Sequence, residues 1–472
     1  MLSGFLTFLT ESDIDTIHSL TMRLLEEVGI AIPMSAARDI YQRHGARVSG
    51  SRVYLQRRLV EEAVRLAPRE FTIHARNHEK DVRVGGTSNV FAPGYGAPIL
   101  MDYEHGSRRP TMQDYDNLTR LADALPNQDL SGHLLVEPSD VPPATAHLHM
   151  LRSSMTNSDK PFIGSSHGPK GAHASLEMAG ILFGDKAGLK GRPGMISLVN
   201  TLSPLSYAAE MLEALMVFAE WRQPVVIAAM VQAGATGPVT IPGVLVQQNA
   251  EILAGVTLTQ CISPGTPVVY GSTSTVMDMS TAAAPIGSPE YPMLVASHAQ
   301  LARHYGLPSR SGGSLTDSQV PDAQAGMESM MVLLTVINSG INFVLHSAGI
   351  LGSYLTFSYE KMVIDDEICG IVRRYKRGFS VGQEELAYDA IVRVGPGGNY
   401  LTDDHTLRHF RAAFYRPVVS SRDALPAWEE KGSHDMAWRA HARWKRLLER
   451  HQAPALDKTT ARQLDQYVEA HL

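Results

Sequence analysis

Asn342-Phe343-Val344-Leu345-His346-Ser347-Ala348-Gly349-Ile350-Leu351-Gly352-Ser353-Tyr354-Leu355-Thr356-Phe357-Ser358-Tyr359-Glu360 is the stretch on which the fold turns. A short β-like run, Asn342 to Leu345, delivers a histidine and then a loop of glycines, hydroxyls and aromatics. A capped helix begins near Thr356 or Ser358. Strand, polar loop and helix form the unit of a (β/α)8 barrel, whose chemistry sits on such loops. The loop carries one imidazole and several aromatic faces, with no thiol, metal-ligand cluster or nucleophile–base pair. That inventory suits holding a cation better than attacking an acyl group.

The same unit recurs upstream. Apolar β-rich runs stand at Val90–Pro93, Leu130–Glu137, Pro161–His167, Met195–Asn200, Pro224–Gln232, Pro267–Ser274, Leu307–Gly313 and Asn342–His346. Helical patterns fill the gaps at Met112–Leu125, Thr145–Met155, Ala172–Gly184, Ser206–Trp221, Ile241–Cys261, Pro289–Tyr305 and Asp322–Ser339. Eight runs at roughly thirty-residue spacing match the βαβ repeat of a parallel sheet. Their unbroken alternation predicts an α/β chain closed as a (β/α)8 TIM barrel rather than an open doubly wound sheet. No glycine fingerprint of the dinucleotide type opens any helix. Ile99–Asp102 competes as a hairpin partner for the first run.

Residues 1–90 read as a small α+β extension. A helix over Asp13–Val28 is capped by Ser12, a second covers Ser35–His44, and a third starts near Gln56. Ser51–Leu55 forms a strand, and Phe71–Ala75 pairs with Asp81–Val84. The barrel occupies residues 91–394. Beyond Gly395 the pattern stops, and residues 395–472 read as a helical tail with helices over Trp428–Arg450 and Thr459–His471. Such a tail packs on the barrel wall or on a neighbouring subunit, and a homo-oligomer is expected.

At 472 residues the chain accommodates a barrel of about 250 residues or more with additions at both ends. A formal net charge of −6 provides no basic field to recruit nucleic acid or anionic membrane. Arg373-Arg374-Tyr375-Lys376-Arg377 reads as a solvated helix face. Cys261 and Cys369 are the only cysteines, and each lies in a helical pattern, which predicts buried reduced thiols rather than a disulfide. Met1–Leu6 lacks the charged start and sustained apolar run of a signal peptide. No run reaches about 18 uninterrupted apolar residues. A cytoplasmic protein is expected.

In a barrel, residues at strand C-termini and on the following loops face the mouth. Here those include Tyr95, Glu137, Ser166, His167, Asn200, Gln232, Ser272, Ser311 and His346. The set is polar but nearly uncharged, and Glu137 is its one carboxylate. A hydrolase or aldolase would want a lysine, a metal triad or paired carboxylates. Phe91, Tyr95, Phe343, Tyr354, Phe357 and Tyr359 gather near two loop mouths, a pattern that can cage a quaternary ammonium or simply fill the core. His147 and His149 diverge on a helix, so no metal site is expected. Gly395-Pro396-Gly397-Gly398-Asn399 lacks the lysine and hydroxyl of a phosphate loop and reads as a turn. Asp365-Asp366-Glu367 reads as a helix face.

Several strings together carry a family likeness: Phe91-Ala92-Pro93-Gly94-Tyr95-Gly96-Ala97-Pro98, Ile286-Gly287-Ser288-Pro289-Glu290-Tyr291, and Gln300-Leu301-Ala302-Arg303-His304-Tyr305-Gly306-Leu307-Pro308. Thr316-Asp317-Ser318, Asp322-Ala323-Gln324-Ala325-Gly326, Phe357-Ser358-Tyr359-Glu360, Ile364-Asp365-Asp366-Glu367-Ile368 and Val394-Gly395-Pro396-Gly397-Gly398-Asn399-Tyr400-Leu401 extend it over nearly the whole chain. The chain thereby resembles the trimethylamine methyltransferase family. The resemblance implies a barrel that moves a methyl group from an amine to the Co(I) corrinoid of a separate protein. The founding enzymes carry pyrrolysine near the loop matching His346–Tyr354, where this chain has ordinary residues only. It is therefore similar to the non-pyrrolysine branch, which acts on quaternary amines such as glycine betaine, proline betaine and carnitine.

On that reading a neutral amine leaves, so the protein needs to orient the substrate and exclude water rather than supply an acid. Tyr95 and Phe357 are expected at the ammonium, with Tyr354 beside them. His346 is expected at the substrate carboxylate with Gln232 in support, and Glu137 as a counter-charge. No Asp-x-His-x-x-Gly cobalamin signature occurs, so the corrinoid would arrive on its partner at the barrel mouth. A methyltransferase for another betaine or methylated amine, or a non-catalytic binder of quaternary amines, would share these features.

Overall fold

A computed structural model describes residues 4–472. Seven parallel strands curl into one sheet in the order Val90–Phe91, Phe343–Leu345, Ser309–Gly312, Val268–Ser272, Val225–Ala229, Met195–Asn200, Phe162–Gly164. The eighth place is filled without a regular strand. The Asp129 amide donates to the Phe91 carbonyl at 2.8 Å, and Ser131 donates to Pro161 at 3.0 Å. Ile163 in turn donates to the Gly132 carbonyl at 3.3 Å. The stretch 129–132 thus joins the two edge strands and completes the (β/α)8 barrel. The expected strand Leu130–Glu137 is therefore cut to its first residues. Gly132 adopts φ 87°, and a Cβ there would stand 2.7 Å from the Leu135 side chain, so the chain leaves the ladder and turns into the mouth.

Helices alternate with these strands from Met112–Ala124 through Ile241–Ile262 to Tyr359–Arg377. The last is started by Ser358, whose hydroxyl accepts the Lys361 amide. Ile99–Asp102 pairs with Gly106–Arg108 and Thr356–Ser358 instead of with the first barrel strand. Side chains alternate through the barrel wall. Ile196, Leu198, Val226, Ala228, Val269, Phe343 and Leu345 share the interior cluster. Ile73 and Val84 join it from below, because the hairpin Glu70–Ile73/Val82–Gly85 of the N-terminal extension plugs the barrel floor. Helices Glu11–Glu27 and Arg57–Leu66 pack on Ile241–Ile262.

The C-terminal part departs from expectation in three ways. The last barrel helix ends at Arg377, seventeen residues before the expected boundary at 394/395, and the Gly395–Gly398 turn lies beyond it. Trp428–Arg450 is two helices, Leu425–Glu430 and Met436–Arg450, because Ser433 sits at φ 53° between them. Asp365, Asp366 and Glu367 are buried rather than on a solvated face. They point to three different partners: Asp365 accepts from Lys361 Nζ (2.5 Å) and the Gly349 amide (2.8 Å). Asp366 accepts the Asn127 amide (3.0 Å), and Glu367 accepts the Val418 amide (2.7 Å). No helix of the described residues is long and apolar enough to cross a membrane, and both cysteines are free.

Candidate active site at the barrel mouth

A cavity of about 900 Å³ opens at the C-terminal end of the strands. Tyr95, His133, Glu137, His147, His167 and Asn200 are among its walls. The small sheet of Ile350–Leu351, Thr356–Ser358, Ile99–Asp102 and Gly106–Arg108 ties the first and last βα loops into one rim. Arg108 clamps that rim through two 2.7 Å hydrogen bonds to Asp114. Burial holds His133 down at about 3 and lowers His147 from its ordinary value. Both rings are therefore neutral at pH 7. His133 Nδ1 and Ser166 Oγ are buried behind the wall with no hydrogen-bond partner among the described residues.

Behind Tyr95 lies the group that sequence reasoning missed. Register aligns Ala228, Gly271, Arg310 and Phe343 across four neighbouring strands. Ala228 and Phe343 face the barrel interior, so Arg310 faces it too, and the small residues at 228 and 271 leave room for its side chain. Arg310 is 2 % exposed. Among the described residues no carboxylate pairs with its guanidinium; its one side-chain hydrogen-bond partner is His346, whose Nδ1 lies 3.4 Å from Nη2, and Nε has no partner. The Tyr95, Tyr291 and Tyr354 phenols lie near enough to act on its charge. A buried cation without a counter-ion costs several kcal/mol, and an anionic ligand relieves that cost. The signal was present in Ser309-Arg310-Ser311-Gly312: a long charged residue inside a strand otherwise built of small ones.

His346 holds this arrangement together. Its Nε2 lies 3.2 Å from the Tyr95 carbonyl, which only accepts, so the proton is on Nε2 and the Nδ1 lone pair faces the guanidinium. Burial, with Arg310 adding to it, pushes the His346 pKa well below 6.5. The expected charge-assisted bond from His346 to a carboxylate is thereby revised: the imidazole is neutral, and Arg310 carries the charge. His346, Ser353 and Tyr354 have φ of 58°, 54° and 76°. Three left-handed non-glycine residues in one loop are a strained set of the sort found at binding sites. Ser353 is held by a 2.6 Å bond to Asp317, which also accepts the Ile286 and Gly287 amides at 2.9 Å each.

The other sequence candidates divide. Tyr95 and Glu137 line the cavity, the latter exposed. Tyr354 lies with its ring centroid 4.8 Å from that of His346. Phe357 is fully buried in the apolar cluster beneath the rim. A Cβ on Gly349 would fall 2.4 Å from the Phe357 ring, so the ring fills a gap left by a glycine and does not face the cavity. Gln232 belongs to a two-stranded ribbon with Thr275 on the far side of the mouth and is not part of the cavity wall.

Comparison with known proteins bears on the same geometry. The sequence model of the family Trimethylamine methyltransferase (MTTB) matches residues 3–471. Glycine betaine methyltransferase of Desulfitobacterium hafniense (strain Y51) is 48 % identical over 460 residues, 98 % of this chain and 96 % of the relative. Proline betaine:corrinoid methyltransferase of Eubacterium limosum is 32 % identical, covering 98 % and 97 % of the two chains. The trimethylamine methyltransferase MttB of Desulfitobacterium hafniense (strain DSM 10664 / DCB-2) is 33 % identical over 99 % of this chain and 94 % of the relative. Among solved structures, the monomethylamine methyltransferase MtmB of Methanosarcina barkeri superposes with a TM-score of 0.57 at 11 % identity, covering 96 % of this chain and 90 % of that one, which shows the shared fold.

Proposed function

We propose a reaction from one premise, that this chain belongs to the trimethylamine methyltransferase family: it transfers a methyl group from a quaternary amine, glycine betaine, to the corrinoid of a partner protein. One observation carries the choice of substrate. Among the described residues Arg310 is a fully buried guanidinium with no acidic partner; it does not line the cavity itself but lies behind Tyr95, which does, joined to it through His346. A betaine carboxylate supplies the missing anion, and a charge-assisted bond of this kind is among the stronger polar contacts a protein makes. Trimethylamine has no such group. With the carboxylate inward, the ammonium falls toward Tyr95, whose ring stabilises it by about 0.5–2 kcal/mol, and the N-methyl groups point to the mouth.

The division of labour follows. Arg310 binds and orients the carboxylate, His346 fixes the guanidinium by offering Nδ1, and Tyr95 with Tyr354 shields the site from water. The leaving amine is neutral and takes no proton, which agrees with the neutral rings of His133, His147 and His346. The partner's corrinoid, once docked, supplies the cobalt nucleophile that accepts the methyl group. The open 900 Å³ cavity fits approach from above. Its size, large for a ligand as small as glycine betaine, also favours a second reading in which a bulkier betaine such as proline betaine or carnitine is the substrate. Two reduced thiols and the need for a Co(I) partner accord with the cytoplasm.

Isothermal titration of the purified chain with glycine betaine, proline betaine, carnitine and trimethylamine tests this. Glycine betaine is expected to saturate and trimethylamine is not. Tight binding of trimethylamine, or unchanged betaine binding by the Arg310→Met variant, would overturn the assignment. Tighter binding of proline betaine or carnitine would select the second reading.

A further inference from the structure

The tail segment 379–425 presents an apolar surface of unusual extent. It spans a tenth of the chain but contributes twelve of the thirty strongly exposed large apolar side chains among the described residues. Phe379 is 84 % exposed, Leu401 77 % and Tyr388 72 %, and Val381, Val392 and Phe414 are close behind. The helix Asp404–Ala413 buries no residue at all. From 413 to 420 the segment is tied to the last barrel helix through Arg374 and Glu367, whereas the polar groups before it are satisfied internally. Arg393 pairs with Asp403 at 2.8 Å, and Glu384 pairs with Arg408 (2.7 Å) and His409 (2.9 Å). Between residues 379 and 412 every side-chain hydrogen bond stays within the segment. Charges are held in, and apolar residues face out.

We propose that this arm is the self-association surface of the protein and that its occupant is the arm of a second copy of the chain. The exposed side chains offer roughly 1,000 Å² per chain. Stable interfaces need about 800 Å² per partner, and the largest apolar patch on a monomer is typically 300–600 Å². Six acids against five arginines leave the segment near neutrality, so nothing in it recruits nucleic acid or an anionic lipid surface. Position excludes the methyl acceptor. The arm leaves the helix Tyr359–Arg377 where Lys376 donates to the Thr87 carbonyl (2.7 Å), just before the first barrel strand. That is the barrel floor, opposite the mouth where the acceptor must dock. A two-fold contact between arms buries the same patch on both copies and leaves both mouths free.

Sedimentation of the full chain tests the proposal. The wild type is expected at no less than twice its 51.5 kDa mass, and the double variant Phe379→Glu/Leu401→Glu is expected to dissociate, since losing central apolar anchors weakens an interface by about tenfold or more each. Met327→Glu, at a 68 % exposed apolar residue on the outer face of a barrel helix, is expected to leave the assembly intact. A wild-type monomer, or an assembly that survives the double variant, would overturn it. As a second readout that does not depend on charge insertion, maleimide labelling of Leu401→Cys is expected to slow strongly from dilute to concentrated protein. A labelling rate independent of concentration also overturns the proposal.

Discussion

An arginine buried without a counter-ion is destabilising until its ligand arrives, and that asymmetry separates a binding role from a structural one. Arg310→Met is expected to raise the stability of the ligand-free protein by about 1–3 kcal/mol, because it removes an unpaired buried charge. The same change should weaken betaine binding by roughly a hundredfold, the loss of a charge-assisted bond worth about 3 kcal/mol. Urea unfolding and calorimetry read the two effects, and destabilisation by the variant would assign Arg310 to the scaffold instead. For His346, burial and the neighbouring guanidinium keep the ring neutral. Betaine affinity should therefore be flat between pH 8 and pH 6, whereas a protonating ring would bind more tightly as pH falls. His133 has the opposite value, as a probe of stability: its folded pKa of about 3 lies below that of the unfolded chain. The unfolded state then binds a proton that the folded state refuses, so its contribution is intact above pH 6.5 and lost on acidification. His133→Asn should shrink the stability lost between pH 7 and pH 5 by about 2 kcal/mol.

At the scale of elements, the site is held by carboxylates that tie loops to one another. Asp317 accepts from Ile286, Gly287 and Ser353, so one side chain links the loops after three successive barrel strands. Asp317→Ala leaves two amides without their acceptor and frees the strained Ser353–Tyr354 turn. The expected result is a raised KM for the betaine with a stability loss of about 2 kcal/mol, and an unchanged KM would show that the turn positions nothing. Deeper in, Lys361 and Asp365 form a pair at most 1 % exposed, and Asp365 also holds the Gly349 amide of the His346 loop. Asp365→Ala strands a buried ammonium and should cost about 3–5 kcal/mol in a denaturation experiment. Glu360, one turn earlier, reaches the tail instead. It accepts from Trp444 Nε1 at 2.7 Å and sits 2.8 Å from His441 Nδ1. With Glu360, the acidic stretch that resembles a solvated face is thus the set of anchors by which one helix fastens the last barrel loop, Asn127, the 418–420 stretch and the helix Met436–Arg450.

Across the whole molecule, the barrel was legible because its signal is periodic and local: apolar runs of strand length alternate with helical patterns, and Ile241–Ile262 or Met195–Asn200 need no distant partner to be recognised. Placing Tyr95 and Glu137 at the mouth followed from the same periodicity, since strand C-termini face one end. The exceptions share a cause. The second barrel position keeps its place through hydrogen bonds to Phe91 and Pro161, residues far off in sequence or across a turn, while Gly132 denies it a regular ladder. Phe357 and Arg310 are one aromatic and one cation in strand-like runs, and no local pattern tells which faces a cavity and which fills a core. That was decided by Gly349 opening space for the Phe357 ring and by the four-strand row that turns Arg310 inward without a carboxylate to meet it. The boundary of the tail and its outward apolar residues were likewise invisible, because exposure is a property of what fails to pack. Sequence by itself determined the alternation, the closed parallel architecture and the family, all written in short-range period and in motif strings. Tertiary structure alone decided which charges are paired, which are left waiting for a ligand and which surface is left uncovered, because each depends on neighbours brought together from distant parts of the chain.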